Sequence, residues 1–291
     1  MLGKALHRRN DSPSTVVAWF VITKRFSGMS DRFFVAHPID TDEIMLTGPE
    51  AHHLIHVMRG NVGQRIVVFD GQGHEAVAEI IGIQKKAVLL RVVSQTTVSR
   101  ELPIPLTIAS PIPKGDREWF LIEKLTELGV SSFVPLITHR SVVRPDGKVI
   151  ERLRRHTIEA CKQCGRNHLM AIQSPVSWPN FLGTASTCDR RVFAHPFPVC
   201  PVATSAPNSP SSAADAIQRD RAAGAASSGV VAAVGPEGGF TEEEVNQAIQ
   251  AGWEQIDLGP RILRTETAAI VLATLLGTAR QVILSRLNKM G

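Results

Sequence analysis

The apolar run Val230–Val234 (VVAAV) is followed at once by Gly235-Pro-Glu-Gly-Gly-Phe240 and then by Thr241-Glu-Glu-Glu244. An uninterrupted apolar run of this kind reads as a strand buried on both faces, as in a parallel sheet covered by helices. Thr241 with Glu244 three residues on fits a capping box and predicts a helix start. The Gly-rich hexapeptide therefore joins the carboxyl end of a strand to a helix N-terminus, where open α/β sheets bind ligands. Gly238 and Gly239 can take positive φ and allow close backbone approach. The layout recurs in the strand Ile256–Leu258, the loop Gly259-Pro-Arg-Ile-Leu-Arg-Thr-Glu-Thr267 and the apolar stretch Ala268–Leu276. Two such edges of one sheet can wall a single pocket.

Neither loop is a nucleotide fingerprint. The first lacks both the GxGxxG spacing and the GK[ST] ending of a phosphate loop. Three consecutive acids, Glu242–Glu244, would repel a phosphate, so a neutral or cationic ligand suits it better than a triphosphate. Taken alone, the hexapeptide is equally an ordinary tight turn before a capped helix.

The 291 residues suffice for two domains or one large one. No apolar run approaches the length of a membrane span. Four cysteines without a secretory context point to a reducing, cytoplasmic location. The net charge of +5 is concentrated rather than spread: residues 1–28 carry five Lys/Arg against Asp11. Residues 139–168 hold eight Lys/Arg against three acids, a candidate phosphate-binding face that could equally be a solvated helix surface. Val16–Ile22 is too short, and lacks the cleavage site, for a signal peptide. Residues 1–30 are expected to be a disordered extension or an upstream start ahead of Met29.

Residues 31–97 read as a β-rich unit with strands at 32–36, 44–48, 65–70, 74–83 and 87–93 and a short helix at 49–58. Gly71-Gln-Gly73 marks a hairpin. After a Pro-containing linker, residues 104–291 alternate strand and helix, the pattern of an α/β domain with a mostly parallel sheet. Leu106–Ala109, Phe133–Ile137 and Val192–Ala194 are strands. Trp119, Phe120, Ile122, Leu125 and Leu128 give a helix with an apolar face. Residues 151–164 form another helix, stopped by Gly165. Twenty of the 29 residues 201–229 are Ala, Ser, Pro or Gly, the composition of a flexible insert.

Cys161 and Cys164 have metal or redox spacing, but a zinc site needs a second pair and a redox pair belongs just after a strand, so they read as structural cysteines. His52 and His56 share a helix face without the Glu of a zinc-protease motif; they read as satisfied or solvent-facing, with an RNA contact left open. No metal is expected. Glu266 falls in the first turn of the last helix, where the dipole favours its anion; it is either a favourable first-turn acid or a substrate-orienting group. Arg261 and Arg264 flank it and suit an anionic or polynucleotide substrate.

Six segments together resemble one family: Arg32-Phe-Phe-Val35, His53-Leu-Ile-His-Val-Met-Arg59, Ile122-Glu-Lys-Leu-Thr-Glu-Leu-Gly129, Glu159-Ala-Cys-Lys-Gln-Cys-Gly-Arg-Asn167, Gly235–Gly239 and Leu258–Ala268. The chain resembles the bacterial 16S rRNA (uracil(1498)-N(3))-methyltransferases of the SPOUT superfamily over about residues 31–285. The resemblance implies a PUA-like RNA-binding β-barrel at 31–97. It also implies a SPOUT α/β domain with a deep trefoil knot at 104–291. It implies a homodimer that binds S-adenosylmethionine and acts on 16S rRNA, free or in the small ribosomal subunit.

Carried over by position, the cofactor residues are His195, Gly235, Pro236, Glu237, Gly238, Gly239, Leu258, Gly259, Ile262, Leu263, Thr265, Thr267 and Ala268. Glu266 is implied as base or orienter and Arg264 as charge stabiliser. Lys114, Arg140, Arg144, Arg154, Arg155, Arg166 and Asn167 are implied RNA contacts. The rival class is a non-catalytic RNA-binding or assembly factor of the same fold, against which the two intact loops argue.

Overall fold

The computed structural model describes residues 32–185, 190–196, 211–212 and 229–287, with 211–212 and 278–287 as backbone only. The expected extension 1–30 and most of the expected insert 201–229 lie outside the described residues.

The first unit is a five-stranded sheet of β1 (Arg32–Phe34), β2 (Glu43–Thr47), β3 (Arg65–Phe69), β4 (His74–Ile83) and β5 (Ala87–Thr97). Its spatial order is β1-β3-β4-β5-β2. The strands alternate with period two, so Ile44, Leu46, Ile66, Val68, Ala78, Ile80, Val88 and Leu90 fill one core. Among the described residues the ladder does not close as the expected barrel would: β1 and β2 stand at its two edges. Two register shifts between β4 and β5 bend the sheet. The expected helix at 49–58 is two pieces, α1 (Gly48–His52) and a π-helical turn at His53–Val57. The hairpin at 70–73 has Gly71 and Gly73 at φ +73° and +110°. Asp70 holds it by accepting from the Gln72 and His74 amides and pairing with the His74 ring.

The second unit contains β6 (Leu106–Ser110), α2 (Asp116–Glu127), β7 (Ser132–Ile137), α3 (Gly147–Cys164), β8 (Ala171–Ile172), β9 (Val176–Ser177) and α4 (Trp178–Thr184). It continues with β10 (Arg190–Ala194), β11 (Ser211–Ser212), β12 (Val230–Val234), α5 (Glu242–Gln250), β13 (Glu254–Asp257) and α6 (Thr265–Leu287). The sheet is parallel throughout, ordered β11-β13-β10-β12-β6-β7-β8, with β9 also on β7. Thus part of the expected insert, Ser211–Ser212, is an edge strand on β13.

All five residues of β12 are buried. Val230, Ala232 and Val234 pack on one face with Leu272 and Leu276 of α6. Val231 and Ala233 pack on the other with Trp178, Phe193 and Trp253. Helix α3 begins a turn earlier than the sequence suggests, because Asp146 accepts from the Val149 amide at 2.9 Å, and it stops at Gly165 with φ +78°. On α2 the expected apolar face is narrower: Leu121, Ile122 and Leu125 are buried, whereas Trp119 and Phe120 are exposed.

The segment after α3 overturns two expectations. Arg166 and Asn167 are not free for RNA; they are 4% and 0% exposed. The Arg166 guanidinium donates to Glu101 at 2.9 Å and to the carbonyls of Thr126 and Val130. Asn167 accepts from Arg32 at 2.8 Å and donates to the Val98 carbonyl. Arg32 in turn pairs with Glu75. These groups form a buried seam between the two sheets, and a charge removed from water is retained only when so paired. Cys161 and Cys164 lie in α3 as structural cysteines; burial pushes the Cys161 thiol up to about 12. Removing the Arg166 charge strands Glu101, so Arg166→Ala should lower unfolding free energy by about 3–5 kcal/mol. Exposed Arg155→Ala should change it by less than about 0.5 kcal/mol, both read by urea denaturation.

Candidate functional site

The carboxyl ends of β10, β12 and β13 open onto one cavity of about 310 Å³. Its walls are Ala194–Pro196, Val234–Phe240 and Asp257–Leu263 without Pro260, closed by Arg140, Thr265 and Ala268. The two loops singled out in the sequence therefore meet, with His195 as the third wall. They meet because β12 and β13 both pair with β10, which places their ends side by side.

The first loop is a tight turn. The Gly239 amide donates to the Pro236 carbonyl at 2.8 Å, with Gly239 at φ +69°. Of the two glycines expected to allow positive φ, only Gly239 uses it. At Gly238 the constraint is close approach: a Cβ there would stand 3.2 Å from Arg140 Cδ, so the arginine would have to shift. At Gly235 a Cβ would meet the Phe240 amide nitrogen at 3.1 Å. The capping box is present: Thr241 accepts from the Glu244 amide while the Glu244 carboxylate accepts from the Thr241 amide. Glu244 is buried and also accepts from the His139 amide at 2.8 Å.

Two contacts join the loops. Thr265 Oγ1 donates to the Gly235 carbonyl at 3.2 Å, tying the start of α6 to the first loop. Arg117 Nη1 lies 3.3 Å from Glu237 Oε1 and 3.7 Å from Glu266 Oε2. Glu266 is buried, and its Oε2 accepts no hydrogen bond. Arg117 thus compensates a buried carboxylate from α6 and an exposed one from the loop. It was not singled out in the sequence, since nothing local links Asp116-Arg117 to positions 120 and 149 residues away.

Most implied cofactor positions line the cavity: His195, Gly235, Pro236, Glu237, Gly238, Gly239, Leu258, Gly259, Ile262, Leu263, Thr265 and Ala268. Thr267, Glu266 and Arg264 do not. Thr267 and Arg264 are exposed, and helical geometry turns Thr265 and Ala268 inward instead. Arg140, implied as an RNA contact, lines the cavity and donates to the Gly238 carbonyl at 2.6 Å. Lys114, Arg144, Arg154 and Arg155 are exposed.

The sequence model of the RNA methyltransferase domain matches residues 100–277, and that of the RNA methyltransferase PUA domain matches residues 46–93. The ribosomal RNA small subunit methyltransferase E of Bacillus subtilis is 36% identical over 77% of this chain and 86% of its own. That of Synechocystis is 33% identical over 78% and 70%. A methyltransferase from Legionella pneumophila, solved with bound cofactor SAM, superposes with TM-score 0.71 at 31% identity, covering 86% of this chain and 98% of its own. The Neisseria gonorrhoeae ribosomal RNA small subunit methyltransferase E, solved with S-adenosyl methionine, gives 0.69 at 26% identity, covering 86% and 97%. The chain belongs to this RNA methyltransferase family.

Among the described residues no helix is long and apolar enough to cross a membrane, and no group of His, Cys, Asp and Glu could hold a metal ion.

Burial pushes the His195 imidazole below its ordinary value, partly opposed by Asp257. The ring is therefore neutral at pH 7. As pH falls below about 6.5, the unfolded chain takes up the His195 proton first. Stability then declines until the folded-state value is passed and is level below it. The His195 ring resonances should titrate below pH 6.5 by NMR, and the loss of stability between pH 7 and 5.5 should be smaller in His195→Gln.

Proposed function

We propose that the chain is an S-adenosylmethionine-dependent methyltransferase acting on N3 of one uridine in small-subunit (16S) rRNA, free or assembled. The observation that carries the reading is the convergence of the 235–239 and 258–263 loops with His195 on one cavity in a chain of this family.

The cavity fits the cofactor. Its volume is that of an ordinary small-molecule site. Glycine leaves the backbone bare at 235, 238 and 239. The carboxylates of Glu237 and Asp257 stand in its wall and suit a sulfonium cation. Ala194, Val234, Leu258, Leu263 and Ala268 supply apolar surface. Bound there, S-adenosylmethionine supplies an electrophilic methyl group.

N3 of uridine carries a proton that must leave as the N–C bond forms, so an acceptor or an anion-stabilising donor is required. Glu266 is held against Arg117 behind the cavity wall, which favours orientation over proton acceptance. Arg264, exposed beside the second loop, is placed for charge stabilisation. Neutral His195 keeps a positive charge off the cofactor's wall. Because N3 lies on the Watson–Crick edge, the target base must be unpaired or turned out. Lys114, Arg144, Arg154 and Arg155 then contact phosphates, while Arg140 braces the cofactor loop instead.

The same reading includes a PUA-like unit at 31–97 and a SPOUT unit at 104–291 whose chain is knotted. What fits a knot is that the start of α6 is tied to the first loop by the Thr265–Gly235 bond and the helix then runs back against β6 and β12. A homodimer completing the site in the cytoplasm is part of the reading, supported by exposed Trp119, Phe120, Val142 and Ile262.

Calorimetric titration should show S-adenosylmethionine binding in the micromolar range, weakened at least 100-fold by Gly239→Val, which strains a left-handed residue. Primer extension on 16S rRNA incubated with protein and cofactor should stop at one uridine, since an N3 methyl blocks pairing. Absence of cofactor binding in a folded protein would leave an RNA-binding assembly factor. Arg117→Met should both lower kcat and raise the cofactor KM, because it releases Glu237 in the cavity wall and Glu266 behind it.

A further inference from the structure

Arg59 is the one non-glycine residue with positive φ among the described residues, at +52°. It follows the π-helical turn at the position where helices ordinarily place glycine. The chain is forced to turn there. The Met58 amide reaches back to the His53 carbonyl and the Gly60 amide to the Leu54 carbonyl, both at 3.0 Å. Gly60 itself lies so close to Leu54 and Ile80 that a Cβ would stand 2.8 and 3.2 Å from their methyl carbons. A side chain at position 60 would displace those methyls, so glycine is favoured there, and the backbone bonds of the turn leave position 59 as its left-handed residue. A left-handed arginine is strained, and strain of this kind persists at functional positions.

The side chain gives the backbone nothing in return. Arg59 is exposed, and its guanidinium has no hydrogen bond or ion pair among the described residues. Only its carbonyl is used, accepting from Asn61 Nδ2 at 3.2 Å. The one acid of α1, Glu50, is taken by Lys162 of α3 at 3.1 Å. On β3 and β4, Arg65 faces Glu79 at 3.8 Å. On the helical segment that ends at Arg59, the exposed His52 and His56 rings lie 4.6 Å apart, and Val57 and Val62 are also exposed. The Lys162–Glu50 bridge docks this edge onto α3, the helix that carries Arg154 and Arg155.

We infer that the Arg59 edge of the N-terminal unit, with His52 and His56, holds an RNA backbone phosphate and extends the basic face of α3 onto the first unit. An unpaired arginine fork matches a phosphate bidentately, and imidazoles add donors or a stacking surface. The inference rests on the RNA-substrate reading above.

Arg59→Gly separates fold from function, because glycine relieves the strain while removing the fork. The probes are full-length protein, a labelled 16S rRNA transcript titrated at several salt concentrations, and S-adenosylmethionine calorimetry. Arg59→Gly should keep or raise Tm and leave cofactor affinity unchanged. It should weaken RNA binding about 5- to 10-fold and reduce the salt slope by about one. Arg59→Lys should restore the slope. A lower Tm in Arg59→Gly would make Arg59 structural and overturn the inference, as would unchanged RNA affinity and slope beside a parent that binds RNA. A parent that binds the cofactor but no RNA would remove the RNA-substrate reading and this inference with it.

Discussion

Burial of β12 on both faces is the constraint from which the rest of the architecture follows. A strand in the middle of a parallel sheet has no wet side, so its backbone polar groups must be met by β10 and β6 and its side chains by helices above and below. Alternate residues of Val230–Val234 supply two separate cores. Where the strand ends, the backbone emerges at a point fixed within the sheet, with helix α5 starting eight residues later behind a capping box. The Gly-rich loop inherits its position from that geometry. A loop held this firmly at its ends can present bare backbone to a ligand without collapsing onto it.

Charge pairing then does two different jobs. At the seam, Arg32, Glu75, Glu101, Arg166 and Asn167 pair in a buried network that sets the first sheet against the second, with Arg32 Nε left without a partner. Such networks cost desolvation and contribute orientation more than net stability. At the cavity, Arg117 stands between Glu237 and Glu266, so the loop after β12 and the start of α6 share one cation. The first arrangement fixes the N-terminal unit relative to the cleft, and the second fixes the two halves of the cleft relative to each other.

The loops at 235–239 and 258–268, the capped helix after Thr241, the parallel sheet and twelve of the nineteen cavity residues were legible in the sequence or in its family resemblance. Each is written in a short window: an apolar run, a glycine pair, a threonine three residues before a glutamate. The misreadings share a cause. Arg166 and Asn167 sit in a basic stretch and look like surface, yet their partners, Glu101 and Arg32, are 65 and 135 residues away. Arg140 likewise reads as phosphate-binding until the fold brings Gly238 to it.

The sequence by itself determined where the longer strands run, where ligand-facing loops interrupt them and which family the chain resembles, because those properties depend on local periodicity, turn chemistry and motif order; the two-residue strands β8, β9 and β11 carry no such signal. Only the tertiary structure decided which charges are free. Whether an arginine meets solvent, a carboxylate or a backbone carbonyl depends on residues far along the chain that close packing brings within about 3 Å. Arg166 was buried, Arg117 was recruited to the cleft, and Arg59 was left strained and, among the described residues, unpaired for that reason.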